Sequence, residues 1–139
     1  MFPTFLVGVS GLILNESLVI CSGATPVFMN ASYECFRLLA TQDKFEKLPL
    51  TLKSQSFYGA SASLNDSTFV SFGGLSQNAT EIVNIFEAQT TLEQALPKNL
   101  FRFCVVELDK SNLLLIGGRT ENSIEKSIYS FNIGNPLAF

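Results

Sequence analysis

The stretch Ser56-Phe57-Tyr58-Gly59-Ala60-Ser61-Ala62-Ser63-Leu64-Asn65-Asp66-Ser67-Thr68-Phe69-Val70-Ser71-Phe72-Gly73-Gly74 decides the architecture, because it occurs more than once. Moved 44 residues along the chain, from Ser56 to Leu100, it falls without a gap on Leu100-Phe101-Arg102-Phe103-Cys104-Val105-Val106-Glu107-Leu108-Asp109-Lys110-Ser111-Asn112-Leu113-Leu114-Leu115-Ile116-Gly117-Gly118. Leu64 meets Leu108, Ser67 meets Ser111, and each copy ends in two glycines. A third copy lies upstream: the apolar run 5–14, the turn Asn15-Glu16-Ser17, and Leu18-Val19-Ile20-Cys21-Ser22-Gly23, at a spacing of 51 residues (Gly23 to Gly74). Repeats of this length build solenoids, propellers or arrays, in which one unit cannot bury its apolar face alone.

Each unit reads as strands. An apolar, small-residue run (5–14, 57–64, 101–108) leads into a turn of Asn, Asp and Ser, as a hairpin requires. A β-prone run ending in glycine follows (18–21, 68–72, 113–116). A third run covers 33–39, 81–86 and 126–133. A fourth covers 44–48 and 91–96, and Pro49 and Pro97 are expected to stop these two. No segment keeps a 3.6-residue apolar period between caps, so little helix is expected. The expectation is an all-β chain: a partial β-propeller of about three four-stranded antiparallel blades (about 4–49, 56–97 and 100–139), the last incomplete.

The pattern resembles the kelch repeat family. Val70-Ser71-Phe72-Gly73-Gly74 and Leu114-Leu115-Ile116-Gly117-Gly118 match its apolar strand and diglycine. The run Leu38-Leu39-Ala40-Thr41-Gln42-Asp43-Lys44-Phe45-Glu46-Lys47-Leu48-Pro49 matches its tyrosine-to-tryptophan element, with Leu38 and Phe45 in the aromatic places. Ile85–Leu92 and Ile128–Ile133 are shorter versions. The resemblance implies that Phe45 wedges between blades and that the chain binds another protein through its loops. It also implies two other roles found among such propellers: enzymes, and substrate adaptors of ubiquitin ligases. The arginine that often precedes the family's first strand is absent, because Ser56 and Leu100 hold those places, and Arg102 is not expected to inherit its role.

Gly73, Gly74, Gly117 and Gly118 have a structural reading, since a strand end that turns with positive φ admits no Cβ. A phosphate-cradling loop would need a following helix and a different glycine spacing. Antiparallel connectivity brings the second-to-third and fourth-to-first connections to one face, and binding residues sit on such loops. The side chains expected there are Lys53, Gln55, Asn78, Lys98, Asn99, Arg119 and Glu121. Arg119 directly follows a diglycine, so its base should be fixed and its fork of donors free to grip a carboxylate or carbonyls.

Composition narrows the function. The chain of 139 residues is 47% hydrophobic and 15% charged, which suits one packed domain. Its net charge of −3 argues against a nucleic-acid partner. Histidine is absent, which removes Ser-His-Asp and Cys-His catalysis and every His-ligated metal site. No catalytic residue, metal site or cofactor is assigned, and a protein partner is expected. Further blades, in cis or from a second copy, are expected to cover the ends of an open arc.

Cys21, Cys35 and Cys104 form no CxxC motif. Three buried free thiols in the cytoplasm are expected, with one disulfide as the alternative in an oxidising compartment. The apolar start lacks a basic flank and a clear cleavage site, and is too short to cross a bilayer, so no membrane is expected. Four N-x-S/T sequons begin at Asn15, Asn30, Asn65 and Asn78.

Overall fold

The computed structural model describes residues 6–25, 32–39, 41, 43–54, 57–75, 77–93, 95–109 and 111–133. Among them there is no helix, and eleven strands form three antiparallel sheets. The first holds β1 (Ser10–Leu14), β2 (Ser17–Cys21), β3 (Glu34–Leu39) and β4 (Lys44–Thr51). The second holds β5 (Ala60–Ser63), β6 (Thr68–Gly74), β7 (Gln77–Asn84) and β8 (Gln89–Leu92). The third holds β9 (Cys104–Asp109), β10 (Asn112–Ile116) and β11 (Ile128–Asn132). Every sheet is a meander in chain order. β5 contacts β1 on one side and β9 on the other, so the first strands converge as the inner strands of propeller blades do.

Period-2 alternation explains how the sheets stack. In β6, Phe69 enters a core with Leu12, Leu14, Val19, Cys21, Leu48 and Val83, between the first and second sheets. Its neighbours Val70 and Phe72 point the other way, into a core with Leu100, Phe103, Leu113, Leu115 and Phe131, between the second and third. A strand buried on both faces is mostly apolar, which is why 68–72 reads as a β-prone run with Phe69, Val70 and Phe72 in the cores and only the small polar Thr68 and Ser71 beside them. Phe72 meets Phe131 edge-on, with centroids 5.0 Å apart and planes at 81°.

Three expectations need correction. β4 does not stop at Pro49 but runs through it to Thr51. It is the outer strand of its sheet, with β3 as its only ladder partner among the described residues, and an edge strand tolerates a missing N–H. Phe45, earlier on the same strand, is half-buried opposite Leu38. Its parity with Leu38 places it on the face turned away from the second sheet.

The cysteines also differ from expectation. Cys21 and Cys35 are directly opposed on β2 and β3, with Cα atoms 4.1 Å apart, and form a fully buried disulfide. Cys104 is free but exposed, on the face of the third sheet turned away from the second. Register decides both outcomes. Opposed residues of an antiparallel pair share a face within bonding reach, whereas β9 alternates Cys104 outward and Val105 inward. The third correction concerns the expected loop between Gly74 and Thr80: β6 ends at Gly74 and β7 begins at Gln77, so Asn78 lies in a strand.

A candidate interaction face

One end of the stacked sheets is built from three repeated backbone clamps. Val7 and Ala24 exchange two hydrogen bonds of 2.9 Å, Leu75 N–H donates to the Phe57 carbonyl at 3.1 Å, and Phe101 and Arg119 exchange bonds of 3.0 and 2.8 Å. Each clamp joins the residue after a glycine-ended strand to the approach of an inner strand. The residues that follow, Gly8, Tyr58 and Arg102, all have positive φ (65°, 60° and 55°). They link blade to blade: Tyr58 N–H donates to Gly8 O at 2.8 Å, and Arg102 N–H to Tyr58 O at 2.7 Å. The Arg102 guanidinium lies over the Tyr58 ring, 4.7 Å from its centroid. Sequence reading set Arg102 aside. The signal that could have found it is the repeat itself, which superposes Arg102 on Tyr58.

Arg119 stands on this face with its base held as expected. Beyond the Phe101 clamp it pairs with Ile124 in an isolated bridge, and Glu125 N–H donates to Gly118 O at 3.0 Å. The intervening turn is closed by Thr120, whose Oγ1 accepts from Ser123 N–H at 3.1 Å and whose N–H donates to Ser123 O at 2.9 Å. The loop after β10 is therefore a small ordered hairpin. Ile124, which the sequence reading did not single out, is 73% exposed there, opposite the exposed Arg119.

The other expected residues divide by what they touch. Lys98 is committed to Glu125, Nζ to Oε2 at 2.5 Å. That hydrogen bond, with another from the Ser127 hydroxyl, pulls the Glu125 carboxyl down to about 2, and Glu125 in turn raises the Lys98 ammonium. Asn99, Lys53 and Glu121 are exposed. Asn78 is half-buried and donates from Nδ2 to the Leu96 carbonyl at 3.2 Å, which holds the segment after β8 in place. Gln55 lies outside the described residues.

The glycines divide in the same way. Gly73 and Gly117 take φ of 56° and 67°, Gly74 and Gly118 take 132° and 100°, and Ser22 and Gly23 repeat the pair at 62° and 113°. A Cβ on Gly73 would sit 2.5 Å from the Leu100 carbonyl oxygen of the next repeat, whereas one on Gly117 would meet nothing closer than 3.8 Å.

A buried carboxylate fastens the face from below. Glu81 on β7 has no solvent exposure, and its Oε1 accepts from Lys53 N–H at 2.6 Å. Its Oε2 accepts from the N–H and the hydroxyl of Ser54, at 3.1 and 2.9 Å. The segment that carries the exposed Lys53 side chain from the first sheet to the second is thereby anchored. An acid at the head of the largely apolar run 81–86 was the available sign.

Arg119 thus offers a cationic group opposite an exposed isoleucine on ordered backbone, which suits carboxylates or carbonyls next to an apolar side chain. Among the described residues, no three His, Cys, Asp or Glu side chains group as a metal site would. No described helix is long and apolar enough to cross a membrane. The opposite end carries the β1–β2 and β5–β6 hairpin turns, which together line a shallow cavity of about 230 Å³. No protein-family model matches the chain, and no curated protein matches it in sequence.

Proposed function

We propose that this chain is a kelch-type propeller segment that works as a non-catalytic interaction module, taking a protein partner on the face of Arg119. The observation that carries this reading is the pairing of Arg119 with Ile124 on a hydrogen-bonded hairpin: a cationic fork and an exposed apolar side chain, both on fixed backbone. Arginine beside an apolar anchor is a combination enriched at protein interfaces, and a fixed base lowers the ordering cost of binding. The test is affinity measurement on whatever partner cross-links to this face in the native source. Arg119→Ala and Ile124→Asp should each weaken binding at least about tenfold, while Glu16→Gln, on the opposite turn, leaves it unchanged. Equal affinity in all four proteins would reject the loop-face reading.

A second reading concerns the third sheet, whose far face exposes Val106, Leu108, Ile116 and Ile128, with Leu108 at 63% and Ile128 at 62%. The equivalent face of the second sheet is covered by the third. A further blade, in cis or from another copy, fits the repeat logic of the fold. Native mass spectrometry should show a discrete assembly if copies complete one another; a stable monomer at micromolar concentration removes self-association.

The compartment reading changes with the disulfide. The sequence pointed to the cytoplasm, but a buried disulfide joining adjacent strands supports an oxidising compartment.

A further inference from the structure

We infer that Asn15 and Asn65 are N-glycosylation sites, and that Asn78 remains bare in the folded protein. Three observations converge. The first is the Cys21–Cys35 disulfide, which places folding where thiols are oxidised, the environment in which N-linked glycans are also attached.

The second is position. Asn15 and Asn65 are exposed at the tips of the β1–β2 and β5–β6 hairpins, side by side on the rim of the shallow cavity. Asn15 and Glu16 both have positive φ (44° and 59°), as a two-residue turn between twisted strands requires, and this turns the tip outward. At Asn65 the turn engages the carboxamide oxygen: Oδ1 accepts from the N–H and the hydroxyl of Ser67, both at 2.9 Å. The nitrogen that would carry a sugar is not used by that turn.

The third is contrast. Asn78 belongs to the same motif but sits within β7, with Nδ2 bonded to Leu96 O and its sequon threonine, Thr80, fully buried. A glycan there would have to displace the segment that packs Leu96 into the second core.

The chemistry needs one co-reactant, an oligosaccharide carried on a lipid diphosphate. The asparagine Nδ2 attacks the sugar C1, forming an N–C bond. The C1–O bond to the diphosphate breaks, the diphosphate leaves with its electron pair, and Nδ2 loses one proton. No oxidation state changes. Both acceptors lie on the hairpin end, opposite Arg119, so the glycans leave the proposed interaction face uncovered. The assignment does not depend on that face having a partner.

The test expresses the full chain behind a cleavable secretion leader in insect cells, with the native sequence otherwise intact. Glycopeptide mapping of the secreted protein is expected to find glycan on Asn15 and Asn65 and unmodified Asn78. Ser17→Ala and Ser67→Ala, which remove the recognition-motif hydroxyls and keep both acceptor asparagines, should each delete one glycan. If the chain stays in the cell, the membrane-enclosed pool is mapped instead, and glycan at both positions supports the inference equally. Bare Asn15 and Asn65 in either pool, or glycan on Asn78 in protein whose disulfide has formed, overturns it.

Discussion

The Glu81 carboxylate on β7 accepts both the backbone N–H and the hydroxyl of Ser54, 27 residues earlier, and thereby bolts the exit of the first sheet onto the second. A charged acceptor with three donors, counting Lys53 N–H, is a satisfied buried group, and its loss strands the donors. Glu81→Ala should therefore destabilise the fold by about 3 kcal/mol, and Glu81→Gln by about 2, because the amide keeps one acceptor but turns a donor toward donors. Urea unfolding measures both. Glu107→Gln, exposed on β9, is the control and should shift the midpoint little. A Glu81→Ala protein as stable as the wild type would mean that the 53–54 segment is held by something else.

The two leading glycines of the doubled-glycine turns should respond differently to the same substitution. Gly73→Ala meets both a left-handed backbone and the Leu100 carbonyl, and should lose about 3 kcal/mol. Gly117→Ala meets only the backbone term and should lose about 1 kcal/mol. The difference reads how closely one repeat approaches the next. Equal losses in denaturant titrations would show that contact with the next repeat contributes nothing.

These contrasts indicate which parts of the molecule are legible without coordinates. The sheets are, because the Val70–Phe72 run, the Asn and Asp turns and the terminal glycines are local, and local chemistry fixes strand, turn and φ. Arg119 on a held base was legible for the same reason. Its partner Ile124 was not, since the small hairpin depends on Thr120 bonding across to Ser123. Glu81 and Ser54 are joined only once two sheets have stacked, and Cys21 and Cys35 only once a register is chosen. Pro49 misled because its effect depends on whether its strand is an edge, a property of the sheet rather than of the residue.

The disulfide gives a direct count. Denatured, unreduced protein should titrate one thiol with a thiol reagent, from Cys104, and three after reduction. A cross-link closing 14 residues restrains the unfolded chain, so reduction or Cys21→Ser with Cys35→Ser should destabilise by about 3 kcal/mol. Three thiols before reduction would contradict the bond and, with it, the oxidising compartment.

The Lys98–Glu125 pair gives stability a defined pH dependence. Glu125 titrates near 4.5 when unfolded and at about 2 in the folded protein, so the folded state holds this carboxylate ionised more firmly. A lowered acid contributes fully above its unfolded value and is lost as pH falls toward the folded one, so the window runs from about 4.5 down to about 2. At the basic end the sign reverses: Lys98 is raised above 10.5, and its contribution, complete below that value, disappears as pH climbs through the higher one. Lys98→Met removes the largest cause of the Glu125 shift and should move the titration of its side-chain carboxyl, followed by carbon NMR, back toward 4.5, with the Ser127 hydrogen bond leaving some depression. The acid-side fall of the unfolding midpoint should flatten correspondingly. Since Lys98 is half exposed, added salt should weaken the wild-type effect and leave the variant unchanged. A Glu125 titration that ignores the Lys98 substitution would assign the depression to Ser127 and free Lys98 for the interaction face on which the sequence first placed it.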